Sequence, residues 1–111
     1  MRAMGFEFTL VLDRVPTDDE LDALFFEGSQ DALFQTVDGE SLALFDRSAS
    51  SLTAAISGAV HSVEGAGFRA MEVRREVLVA NPILQADYAR EIAAANMMVQ
   101  TRAFLAKRRV G

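Results

Sequence analysis

From Phe6 onward the apolar side chains fall at every second position: Phe6, Phe8, Leu10 and Leu12 alternate with Glu7, Thr9, Val11 and Asp13. A twofold rhythm of this kind predicts a strand with one buried face. Arg14, Val15 and Pro16 interrupt it, and the spacing then lengthens to that of a helix, with Leu21, Leu24 and Phe25 at i, i+3 and i+4. Thr17 followed by Glu20 has the spacing of a capping box, so the helix is expected to begin at Thr17. Asp18, Asp19 and Glu20 then lie near the positive end of its dipole, and Gly28 can take the left-handed conformation that stops it.

Two short apolar segments follow, Ala32 to Val37 and Ser41 to Asp46, separated by Asp38, Gly39 and Glu40. Asp-Gly supplies the positive φ angles of a tight turn, so the pair reads as a β-hairpin. The serine-rich run Ser48 to Ser51 offers N-caps for a second amphipathic helix through Leu52, Ile56, Ala59, Val60 and Val63, ending near Gly65 or Gly67. Phe68 to Val79 is rich in strand formers, with Met71, Val73, Val77 and Val79 alternating imperfectly against Arg69, Glu72, Arg74 and Glu76, as a bulged strand would.

The order β-α-β-β-α-β makes residues 1–80 an α+β domain. The helices are expected to cover one face of a four-stranded antiparallel sheet in the ferredoxin-like, split βαβ manner. The opposite face is expected to show Val11, Ala43 and Phe45, and to need cover from the C-terminal segment or another subunit.

Asn81 and Pro82 mark a boundary, and residues 81–111 form a C-terminal helical segment by composition. Leu84, Tyr88, Ile92, Ala95 and Val99 make one stripe, as a single long or kinked helix would. Arg102 falls on that stripe and Phe104 well off it, which instead favours a break at Asn96 and a second helix from Gln100 or Thr101, a helix-turn-helix. Both arrangements satisfy the pattern.

Composition narrows the function classes. The chain has 111 residues, enough for one core, and its 50% apolar content never forms an unbroken run of about 18, so no membrane span is expected. Residues 1–4 are too short and mixed for a signal peptide, which makes the cytoplasm the expected location. With no cysteine, disulfides, thiolate catalysis and cysteine-ligated metals are excluded. His61 is the only histidine and lies opposite the apolar stripe of its helix, without a ligand or base partner at a useful spacing. The acidic run Asp18 to Asp22 points in several directions from one helical turn, Gly65 and Gly67 lack phosphate-loop context, and Ser48, Ser50 and Ser51 lack a nucleophile elbow. No catalytic residue, metal or cofactor is expected, and the chain reads as non-enzymatic.

Charge is segregated. The net charge is −5, yet residues 81–111 carry 2 acidic and 5 basic side chains, a balance of +3. Any contact with a polyanion therefore belongs at the C-terminus. Basic residues there also offset the helix dipole, which is the plainer reading of Arg102, Lys107, Arg108 and Arg109.

The stretches FEFTLVLDRVPTDDELDALFFEG, with Asp31 soon after, and SSLTAAISGAVHSVEGAGFRAMEV resemble a family of small bacterial helix-turn-helix proteins, regulator-like or antitoxin-like, in which a short α+β domain precedes the DNA-binding unit. The resemblance covers roughly residues 6–79. It implies that an Asp/Glu-Ile-Ala triplet opens the helix-turn-helix, which Glu91, Ile92 and Ala93 match. The family's turn glycine falls at Met97, its recognition start at Val99 to Arg102, and its glycine-rich basic tail is reduced to Lys107 through Gly111.

Two functional expectations follow. One is a homodimeric regulator that touches DNA through Gln100, Thr101, Arg102, Lys107, Arg108 and Arg109. The other is a protein-interaction or dimerisation module, without DNA binding, in which Tyr88, Ile92, Met97, Met98 and Phe104 dock a partner or a second subunit. A third class, a ligand-binding or oxygenase-like ferredoxin fold, would need an enclosed pocket between sheet and helices.

Overall fold

The computed structural model describes residues 4–75 and 81–110. Its elements are β1 (Met4–Leu12), α1 (Asp18–Phe26), β2 (Ala32–Val37), β3 (Glu40–Ala49), α2 (Leu52–Gly65), β4 (Ala70–Arg74) and α3 (Pro82–Val110). The strands form one antiparallel sheet in the order β2-β3-β1-β4. The fold is α+β, and among the described residues no helix is long and apolar enough to cross a membrane.

Each boundary has a local cause. At α1, Thr17 is the N-cap and the first helical residue is Asp18, one later than the spacing suggests. The Glu20 amide donates to Thr17 Oγ1 at 3.2 Å and the Thr17 amide donates to Glu20 Oε1 at 3.0 Å, the reciprocal pair of a capping box. The hairpin turns through Asp38 at φ 51° and Gly39 at φ 80°, both left-handed, with Val37 opposite Glu40. At α2, Ser51 accepts the Ala54 amide at 3.1 Å. The helix closes with Gly67 at φ 91°, its amide on Glu64 and the Phe68 amide on Val63, a Schellman stop.

The core lies between the sheet and α2. Phe6, Phe8, Leu10 and Leu12 point toward Leu52, Ile56, Ala59, Val60 and Val63, with Leu24 of α1 at one end. Phe8 pairs with Phe45 and Leu10 with Ala43, so Ala43 and Phe45 are buried with them. This corrects the expectation that both join Val11 on the opposite face. Residues 42–45 are uniformly apolar and carry no alternation; only pairing to β1 sets their phase, and it turns Leu42 and Leu44 outward instead. Phe25 likewise leaves the core stripe assigned to it. α1 seats only Leu21 and Leu24, and Phe25 and Phe26 are exposed.

β4 is shorter than the sequence suggests. Its register against β1 shifts between Val11, opposite Glu72, and Leu12, opposite Ala70, a bulge that the structure places at Met71. Val77 and Val79, expected to extend it, lie outside the described residues.

Residues 82–110 are a single α-helix that runs through Asn96 without a turn. The helix-turn-helix alternative is therefore not the arrangement adopted. The phase anomaly has another explanation: Arg102 sits at the margin of the buried stripe and reaches Glu64 of α2 at 2.8 Å.

Candidate functional site

α3 has two dissimilar sides. The inner one belongs to the core: Val99 and Ala103 are buried, and Tyr88, Ile92 and Ala95 pack against the same cluster. Tyr88 meets the Phe6 ring edge-on at 6.2 Å, and the Arg75 guanidinium lies 4.6 Å over its face. Asn96 contributes a different kind of contact. Its Oδ1 accepts the Val73 amide at 2.6 Å and its Nδ2 donates to the Val73 carbonyl at 2.7 Å. β4 is an edge strand, so this side-chain amide occupies the place of the next strand's peptide group. Its polar group, which suggested a turn, is satisfied across the fold.

The outer side is apolar without serving the core. Met97 is 74% exposed, Phe104 60%, Leu105 52% and Met98 40%. On a helix Met97, Thr101 and Phe104 stand at i, i+4 and i+7, opposite Val99, with Ala93 and Ala94 one turn earlier and Met98 and Leu105 flanking. An amphipathic helix already seated by one face thus presents a second apolar stripe to solvent.

The expected site residues divide accordingly. Tyr88 and Ile92 are engaged in the chain's own packing, whereas Met97, Met98 and Phe104 lie on the outer stripe. Leu105 belongs with them and was missed, although its spacing of seven from Met98 could have identified it. Of the residues expected to touch DNA, Gln100 and Thr101 are exposed and Arg102 is paired with Glu64, a carboxylate that Arg69 also approaches at 3.8 Å. The side chains of Lys107, Arg108 and Arg109 lie outside the described residues.

Two ion-pair networks tie the sheet. Arg74 reaches across the outer face from β4 to Glu40 at 2.7 and 3.0 Å and also holds Glu72 at 2.5 Å. Its hydrogen bonds hold the Glu40 carboxyl below the usual range and raise the Arg74 guanidinium further. Arg47 grips Asp31 through two bonds of 2.7 and 2.9 Å and donates to the Gly28 carbonyl at 2.6 Å, pinning the turn between α1 and β2. The Arg47 bonds lower the Asp31 pKa against the opposing cost of burial. These contacts are structural, and among the described residues no group of three or more potential ligands is placed to hold a metal. No protein-family model, curated protein or solved structure matches the chain.

Proposed function

We propose that the chain is a non-enzymatic interaction module whose long C-terminal helix docks an apolar helix or groove of another protein. One observation carries this reading: Met97, Met98 and Leu105 stand exposed on a helix whose other face is already committed to the core. Methionine adapts its shape to a partner, and such a stripe reads as helix-in-groove recognition. The strand order and pairing support the ferredoxin-like description of the sheet, which by itself implies no activity.

The test is position-specific crosslinking in living cells. A photo-crosslinking side chain in place of Met97 should capture a partner, whereas the same group in place of exposed Asp22 on α1 should not. Equal capture at both positions would overturn the proposal.

A second reading, DNA contact by a regulator-like or antitoxin-like homodimer, rests on the +3 balance of residues 81–111. A continuous helix with Arg102 paired to Glu64 lacks the geometry of a helix-turn-helix, so such contact would come from the basic end of α3. Its mark is binding to duplex DNA that weakens steeply with salt; no binding at about 50 mM salt removes it.

A further inference from the structure

The two edges of the sheet are β4 and β2. β4 lies against α3, and Asn96 occupies both polar groups of Val73. β2 is hydrogen-bonded to β3 on one side, and no described strand pairs with its other side.

The hairpin geometry shows which groups β2 leaves unpaired. Across a two-residue turn the closing pair, Val37 and Glu40, is hydrogen-bonded, so the bonded pairs continue as Gln35 with Leu42 and Leu33 with Leu44. The Asp46 amide bonded to the Asp31 carbonyl at 3.1 Å keeps the same phase. The amides and carbonyls of Phe34 and Thr36 therefore point away from the sheet. Natural sheets guard such an edge with lysine, proline, a bulge or a covering element. Ala32, Leu33, Phe34, Gln35, Thr36 and Val37 include neither charge nor proline, although the chain carries −5 overall.

We propose that β2 is a homodimerisation edge, along which two copies pair β2 antiparallel across a twofold axis to make one sheet running through both. The register follows from the free groups. For Phe34 and Thr36 to bond each other's counterparts, the axis must pass through Gln35. Gln35 then faces its own copy, where two amides can hydrogen-bond, and Leu33 faces Val37 of the second copy on the same side of the sheet. Leu33 is 63% exposed and Val37 42%, so this pairing covers apolar surface that each copy shows to water. No like charges meet along the strand. Asp31, which comes near Asp38 of the second copy, is already neutralised by Arg47.

A second copy fits this edge better than an arbitrary extended peptide because on the outer face the register sets Leu33 against Val37 and the Gln35 amide against its own copy. Beside it lies an open groove of about 240 Å³ lined by Val15, Pro16, Leu21 and Phe34, which widens the contact. Even so, the apolar side chains along β2 offer on the order of a few hundred Å² per copy, less than the roughly 800 Å² of a standard interface. The dimer should dissociate at roughly micromolar concentrations.

Sedimentation of the full chain over a wide concentration range tests the proposal. Association should rise with concentration, and Thr36→Pro, which removes an outward amide, and Leu33→Lys, which puts a charge on the edge, should each weaken it at least tenfold without altering the circular dichroism spectrum. Since the chain has no cysteine, Gln35→Cys should oxidise to a disulfide-linked dimer much faster than Gln30→Cys, which lies outside the strand. A monomer at all concentrations, an association that neither edge variant weakens, or equal oxidation rates would overturn it. An association abolished by Met97→Glu but indifferent to the β2 variants would also overturn it, assigning the contact to α3.

Discussion

The β4 edge and the β2 edge of this sheet meet the same physical problem in opposite ways. At β4 a buried stripe holds α3 in place, and one asparagine closes the outward peptide groups of Val73. At β2 an uncharged strand of six residues has no neighbouring strand on its outer side among the described residues. An edge sealed by the chain itself is one that association cannot use, and the unsealed one is where a second strand can add. Variants at the two edges should therefore differ in kind: stability losses at β4, association losses at β2.

The largest effect is expected where α3 is seated. Val99→Asp places an unpaired carboxylate in the core and should cost about 4 kcal/mol, read by urea unfolding. A loss below about 1 kcal/mol would mean that α3 is not part of the same cooperative unit. Asn96→Ala leaves the Val73 amide and carbonyl without their partner and should cost about 2 kcal/mol, despite the better helix propensity of alanine. Exchange of the Val73 amide with solvent should accelerate in parallel; an unchanged rate would show that the seal is not functioning.

A smaller effect belongs to the turn that leads into the open edge. Arg47 holds the Asp31 carboxyl below its ordinary value. A depressed folded pKa contributes stability that is present above the unfolded value, near 3.9, and lost as pH falls through the folded one. Asp31→Asn should therefore lower stability modestly at neutral pH and make its decline below about pH 4 shallower. An identical acid limb in both proteins would remove the pair from the account. The smallest effect on the monomer is Leu33→Lys, which should stay within about 0.5 kcal/mol under dilute conditions because the side chain is already exposed.

Much of this was readable along the chain, and the failures have specific causes. The Thr17 and Glu20 box, the Asp38-Gly39 turn and the Gly67 stop are decided by neighbours within a few residues, so spacing sufficed to place them. Phe25 was misplaced because period alone cannot say how wide a stripe a short helix buries. The faces of Ala43 and Phe45 were reversed because four consecutive apolar residues hold no phase until β1 is paired with them. Asn96 invited a turn because an isolated amide in a helix is better satisfied elsewhere, and its partner is a backbone 23 residues away. The outer stripe of α3 was partly visible as Met97, Met98 and Phe104. Tyr88 and Ile92 were grouped with them because a list of apolar positions does not reveal which of two helix faces the sheet will claim.

What the order of residues determined here is local: where the chain extends, coils and turns, since capping, positive φ and side-chain period act over a few positions. Which faces are dry, which edge is sealed and which groups stay open depended on long-range pairing, because burial is shared between segments and neither segment alone specifies it. Asn96 and Val73 show the reason most directly: each carries an unsatisfied hydrogen-bonding demand in isolation, and only their meeting across the fold removes it.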